Sequence, residues 1–283
     1  MTTYRIVSDS SSNIYEIPGS IKYLTTPLKI LVDGEEYTDQ AGLDLEKMVN
    51  HIETSKVNST SCPNVQEWLD AFEGADVIFA ITISSALSGS YASAQMAAEE
   101  YMKKHEDVKI YVIDSLSTGG EMVMIIEKLR DLMEQGLSFE EIEEQIKDYQ
   151  KHTHLIFYLE SLSNLAKNGR LSPAVAKIAG LLGIRFVGRA SDKGTIHQAA
   201  IAKGAKKAIS AGVAEMVKMG YNGGRVAISH TLNTEGAERM KTLILEQFPQ
   251  AIVTINANGG LCSYYAERGG MIIGFDDYTP ASV

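Results

Sequence analysis

Short apolar runs alternate with amphipathic stretches along most of this 283-residue chain, and that alternation limits the fold more than any single motif. Tyr4–Ser8 reads as a first strand. LKILVDGEEYTD reads as a hairpin that turns at Asp33-Gly34, two residues that tolerate positive φ. LDLEKMVNHIET and NVQEWLDAFEG carry helical spacing. VIFAITI, SGSYASAQMAAEEYMKK, VKIYVID and GGEMVMIIEKLRDLMEQG then repeat strand and helix in turn. Ser138 and Glu141 form a capping box for a helix running through Tyr149. Strand–helix–strand order of this kind predicts an α/β fold with mainly parallel sheets and helices on their faces.

The pattern restarts near Lys151–Thr153 with HLIFYLE. A small-residue stretch, SPAVAKIAGLLG, follows, then a strand pair around RFVGRASDKGTIHQAA and a helix AKKAISAGVAEMVKMG. RVAISH, TEGAERMKTLILEQF, AIVTINA and MIIGF close the alternation. The expectation is two α/β lobes, residues 1–153 and 154–283, without an internal repeat.

Composition excludes several classes. The net charge of −10, from 26 basic and 36 acidic side chains with no dense basic cluster, argues against a nucleic-acid partner. Cys62 and Cys262 lie far apart and give no disulfide framework. MTTYRIVSDSS lacks the basic start and apolar stretch of a signal peptide. The most apolar window, around IAGLLGIRFVG, is too short to span a bilayer. These features point to a reduced, cytoplasmic protein with no integral membrane segment.

SSALSGSYASAQ, residues 84–95, crowds five serines onto the junction between a strand and a helix. Ligands of open parallel sheets bind at the carboxyl ends of strands, where helix N-termini offer unpaired N–H groups and partial positive charge. Two readings are open for Ser88: an anion-binding hydroxyl beside the Gly89 amide, or a plain helix cap. Recurrence favours the first. SDSSSN (8–13), NSTSCPN (58–64) and DSLSTGG (114–120) are hydroxyl-rich corners of the same kind, placed to converge on one rim. Hydroxyls without a neighbouring base bind and orient an anion rather than attack, and GxSxG is absent. GIRFVGRA (183–190) has a P-loop's glycine spacing but lacks its Lys-Ser/Thr, and GxGxxG does not occur. His152 and His154 share one face of a strand, without a carboxylate or thiol at ligand spacing, so they read as exposed histidines and no metal site is expected. His230 ends RVAISH as a rim or loop residue, and Arg170 in NGRLS is a candidate anion partner or surface ion pair. Cys62, ahead of Pro63 at a helix start, reads as a buried thiol or a nucleophile.

Taken in order, these segments resemble the DegV family. IVSDSSSNI resembles its opening IVTDSTADL-type motif, STSCPNVQEW its TSQPS segment, and SSALSGSYASA its SS-x-LSGTYQSA segment. VIDSLSTGG, LAKNGRLS and GGMIIGF fall in family order, so the resemblance runs from Tyr4 to about Phe275. It implies two lobes enclosing one long-chain fatty acid in a tunnel, with the carboxylate held at Thr60, Ser61, Ser88 and Gly89. It implies no cofactor and no catalysis by this chain, which would present the acid, as FakB members do, to a separate FakA-like kinase. The family's GTHxGPGA stretch appears here as CSYYAERGG, which puts Tyr265 in the position of the histidine, and an expected arginine appears as Lys203. Ser10, Arg170, Lys203, His230 and Ser263 are further head-group or kinase-facing candidates. A self-contained acyl-handling enzyme with Ser88 or Cys62 as nucleophile is the alternative. About 0.8 kcal/mol per buried methylene makes a chain of roughly 14 worth on the order of 10 kcal/mol before ordering costs, so a tunnel would hold the acid and hydroxyls would orient it. SPAVAKIAGLLGI is a candidate tunnel wall.

Overall fold

A computed structural model describes residues 2–177 and 183–277. Its first sheet has the order β2-β1-β6-β7, with every pair parallel: β1 Tyr4–Asp9, β2 Lys22–Thr26, β6 Val77–Thr82 and β7 Lys109–Asp114. The central strand β6 is buried along its whole length, which is why VIFAITI is continuously apolar rather than alternating. Ile78 and Ala80 face α2 (Val65–Phe72) and α3 (Ser90–Lys104), where they meet Trp68, Phe72 and Ala94. Phe79 and Ile81 face α4 (Gly120–Glu134) and α5 (Phe139–Tyr149), where they meet Met122, Ile125 and Ile146. The capping boxes at Asn64/Glu67 and Ser138/Glu141 start α2 and α5.

A three-stranded antiparallel sheet leaves the first between α2 and β2. β3 (Lys29–Val32) and β4 (Glu35–Thr38) form the expected hairpin, with Asp33 at φ 47° and Gly34 at φ 88°. Its third strand is β5 (Asn58–Ser61), which pairs with β3 on the other side. Helix α1 (Leu45–Thr54) covers this sheet through Met48 and Val49.

The second large sheet has the order β10-β9-β8-β13-β11-β12 and takes its strands from residues 153–276: β8 Thr153–Leu159, β9 Ile184–Ala190, β10 Ile196–Lys203, β11 Arg225–His230, β12 Ile252–Ala257 and β13 Met271–Asp276. Here the expectation of mainly parallel pairing is corrected, since only β11 and β12 run parallel. β9 and β10 are joined by a short turn rather than a crossover helix, and β13 enters from α10 (Gly260–Ala266) to run opposite to both neighbours. The GIRFVGRA segment is therefore strand β9 and no phosphate loop. Period-two alternation divides β8 between two layers. Ile156 and Tyr158 pack under α8 (Ala205–Lys218) and α9 (Thr234–Gln247), whereas Leu155, Phe157 and Leu159 face the other way.

Two helices tie the halves together. α4 is pressed between the sheets: a Cβ on Gly120 would lie 2.4 Å from the Ala227 carbonyl oxygen and 2.8 Å from the Gly274 nitrogen. α10 crosses to the three-stranded sheet, where Tyr264 joins Ile30, Val32 and Met48. The result is a two-lobed α/β molecule. Among the described residues no helix is long and apolar enough to cross a membrane.

Candidate ligand-binding cavity

A cavity of about 300 Å³ lies where the first sheet's carboxyl edge, α10 and the outward face of β8 meet. Much of its polar lining comes from three of the hydroxyl-rich segments, Thr60 and Ser61 from β5, Ser88 and Gly89 at the start of α3, and Ser117 and Thr118 after β7, with Thr195 and Tyr265 adding further hydroxyls. Its apolar lining includes Leu28, Ile83, Leu155, Phe157, Leu159 and Ile272. Arg170 is the only lining residue, among those described, that is charged at neutral pH. Its Nε donates to the Leu87 carbonyl at 3.1 Å and its Nη1 to the Asn168 carbonyl. Both partners are neutral, and no carboxylate among the described residues forms an ion pair with it, so its positive charge is left uncompensated beside the cavity.

The fourth hydroxyl segment supports the site from behind. Ser10, Ser11 and Ser12 are fully buried and line no part of the cavity. Asp9, the acid among them, accepts hydrogen bonds from the Ile83 amide (2.9 Å), the Ser90 hydroxyl (2.6 Å) and the Ser11 amide and hydroxyl. One carboxylate thus fixes the ends of β1 and β6 and the start of α3. Complete burial pushes its pKa up and these donors pull it down. Gly89 caps α3 without a side chain, and the Ser88 hydroxyl accepts from the Ser90 amide at 3.2 Å, so Ser88 caps the backbone and lines the cavity at once.

α10 delivers the opposite side. Asp39, also fully buried, accepts from the Gly260 and Leu261 amides and from the Tyr15 hydroxyl at 2.7 Å. Asn13 accepts from the Gly259 amide at 2.8 Å. Held by its first turn, α10 presents Leu261, Cys262, Tyr265 and Ala266 to the cavity, which is one helical face. The Tyr265 hydroxyl reaches Thr60 Oγ1 at 2.9 Å. Cys262 is buried, which pushes its thiol up to about 12 and keeps it protonated. Cys62 lines the cavity near Gly89, where a Cβ would sit 3.3 Å from its Sγ.

Thr60, Ser61, Ser88, Gly89, Tyr265 and Arg170 are therefore brought together, and four other sequence candidates are not. Ser10 turns inward and its hydroxyl accepts from the Leu28 amide at 2.9 Å. Ser263 lies two residues before Tyr265, about 200° round the helix, and is buried away from the cavity. Lys203 is exposed at the end of β10. His230 accepts from the Asn233 amide at 3.1 Å, and burial lowers its pKa, so it stays neutral. These four, offered as head-group or kinase-facing candidates, all lie outside the cavity lining. His152 and His154 meet Asp277, 3.0 and 3.4 Å away, a carboxylate too remote in sequence for spacing to reveal. Among the described residues no group of three or more metal-ligating side chains forms. Of the proposed tunnel wall, Val175 packs with the cavity-side cluster, while 178–182 lie outside the described residues. Asp9 and Asp39 were not singled out from the sequence. The one available signal was an acid at the end of a strand segment, in VSD and YTD.

Comparison with known proteins gives a consistent answer. The model of a family described as "Uncharacterised protein, DegV family" matches residues 3–275. A DegV domain-containing protein of Streptococcus pneumoniae is 43% identical over 278 residues, covering 97% of this chain and 99% of the relative. The Streptococcus pneumoniae fatty acid kinase B3 protein, solved loaded with linoleic acid, superposes with a TM-score of 0.95 at 42% identity over 98% of this chain and all of that one. A DegV family protein from Eubacterium eligens, loaded with heptadecanoic acid, gives 0.93 at 39% identity over 97% of this chain and all of that one. The chain belongs to the DegV family.

Proposed function

We propose that this protein binds one long-chain fatty acid in the cavity, with its carboxylate among Thr60, Ser61, Ser88, Gly89 and Tyr265 and close to Arg170. The observation that carries the reading is the lining itself: a largely apolar wall, a cluster of hydroxyls and one uncompensated cation. That combination suits a molecule with one anionic end and a long apolar remainder. Relatives of about 40% identity and nearly full coverage that hold linoleic and heptadecanoic acids support it. The division into lobes 1–153 and 154–283, a cytoplasmic location and the absence of a cofactor belong to the same proposal.

The chain acts as a carrier in this reading. Ser88 Oγ takes its hydrogen bond from a backbone amide, a capping contact, and among the described residues no histidine or carboxylate is hydrogen-bonded to Ser88 or Cys62. Chemistry on the carboxylate falls to a separate FakA-like kinase, to which the chain presents the acid. Tyr265 places a hydroxyl at this head group, in the position where the family has an imidazole.

Native mass spectrometry of the purified protein, followed by titration with hexadecanoic and butanoic acids, tests the proposal. The expected result is a co-purifying long-chain acid, and thermal stabilisation by hexadecanoic but not butanoic acid. An empty protein indifferent to both overturns it. Equal stabilisation by both replaces the lipid cavity with a small-anion site.

A further inference from the structure

Gly188 sits in the middle of β9, and its backbone does not adopt the left-handed conformation that favours glycine. Its small size has another reason. It pairs directly with Phe157 across β8 and β9, on the sheet face turned to the cavity. A Cβ at this position would lie 2.2 Å from Phe157 Cε2, 2.7 Å from Phe157 Cζ and 2.6 Å from Phe186 Cε1. The phenyl ring of Phe157 occupies the space that any side chain at 188 would need. Phe186, 2% exposed and stacked on Phe157 at a centroid distance of 6.1 Å and an interplanar angle of 18°, closes the other side. The cavity that Phe157 already lines gives open space to a ring displaced from Gly188.

We infer that Phe157 and Gly188 act as a pair that sets the cross-section of the acyl channel, and so select which fatty acids fit by length and bend. The inference rests on the fatty-acid reading above and adds the residues that determine specificity within it. The two positions have opposite levers. Gly188→Ala turns the ring inward and contracts the channel. Phe157→Leu removes the ring while keeping an apolar wall, and widens the channel above Gly188. The double variant gives the added methyl room where the ring had been and returns the channel toward its original width.

Competitive displacement across saturated acids from dodecanoic to icosanoic, together with oleic and linoleic acids, reads the selectivity of each variant. Gly188→Ala is expected to shift preference to shorter saturated acids, by about fourfold for each methylene that no longer fits. Phe157→Leu is expected to shift it toward longer or cis-unsaturated acids, and the double variant to lie between them. In all three the preference for an acid over the matching alcohol stays as in the unsubstituted protein, because the hydroxyl cluster is untouched. Affinities that change uniformly across the series, or a selectivity profile that does not move, overturn the inference. If Gly188→Ala does not fold, the direction of the Phe157→Leu shift decides alone. An unsubstituted protein that binds no acid at all sinks the fatty-acid reading itself, a result distinct from an acid binder whose selectivity ignores these two positions.

Discussion

Replacing Arg170 with methionine separates binding of the carboxylate from binding of the chain. The guanidinium has five N–H donors, and the two hydrogen bonds to Leu87 and Asn168 leave three available at the cavity. A hydrogen bond to an ionised group contributes about 1.5–3 kcal/mol, and the half-buried position of Arg170 puts its share near the lower bound because solvent screens it. A loss of about 1.4 kcal/mol is a factor of ten. Isothermal titration with oleic acid and oleyl alcohol reads the two parts apart. The unsubstituted protein is expected to prefer the acid, and Arg170→Met to bind the acid about tenfold more weakly with its affinity for the alcohol unchanged. Arg170→Lys should recover part of the loss, since it keeps the charge without the planar fork. Equal weakening for acid and alcohol would mean that the arginine only holds the backbone of its loop. No change for either would remove it from the head group altogether. Either result refutes the reasoning.

Three further perturbations follow from the geometry. Ser88→Ala removes one neutral contact and one 3.2 Å cap, so acid affinity should fall about fivefold while stability to urea falls by less than about 1 kcal/mol; an unchanged affinity with a large stability loss would leave Ser88 as a cap alone. Glu121 is buried against Ser117 and Thr153, and burial pushes its pKa from 4.5 up to about 7. A raised carboxyl contributes stability below its unfolded pKa that is lost as pH climbs, so about 3 kcal/mol should disappear between pH 4.5 and about 7. Glu121→Gln does not titrate, and the stability difference between the two proteins should change by that amount over the window; a flat difference contradicts the burial argument. Gly120→Ala drives a methyl into the backbone of Ala227 and Gly274 and should cost about 1–3 kcal/mol or more in denaturant melts, with a neutral result contradicting the close approach of α4 to the second sheet.

Strands β1, β6 and β7 of the first lobe were legible because their burial is local information. A run such as VIFAITI is apolar on both faces only when both faces are covered, and the hydroxyl corners after β6 and β7 stand where parallel strands end. Strand direction in the second lobe was not legible. HLIFYLE announces a strand, yet its period-two division into a helix-facing and a cavity-facing side depends on β13, which arrives more than a hundred residues later. β5 escaped because NSTS is entirely polar and is held as an edge strand by β3. α10 escaped because a seven-residue helix beginning with glycine has little propensity of its own. Its start is held by Asp39, more than two hundred residues away. Without that helix in view Ser263 stood as a further candidate beside Tyr265, whereas the turn of α10 puts only Tyr265 in the cavity lining. Half of the site, the corners carrying Ser88 and Thr60, could be read from residue order. The other half depends on buried carboxylates whose partners only the fold supplies.

A crystal structure of the protein grown with hexadecanoic acid tests the central claim most directly. The account expects one acid in the cavity, its carboxylate within hydrogen-bonding distance of Ser88 and Gly89 and on the Arg170 side, and its chain against Leu155, Phe157 and Ile272. A carboxylate placed away from these groups, or an acid bound only outside the cavity, would contradict it.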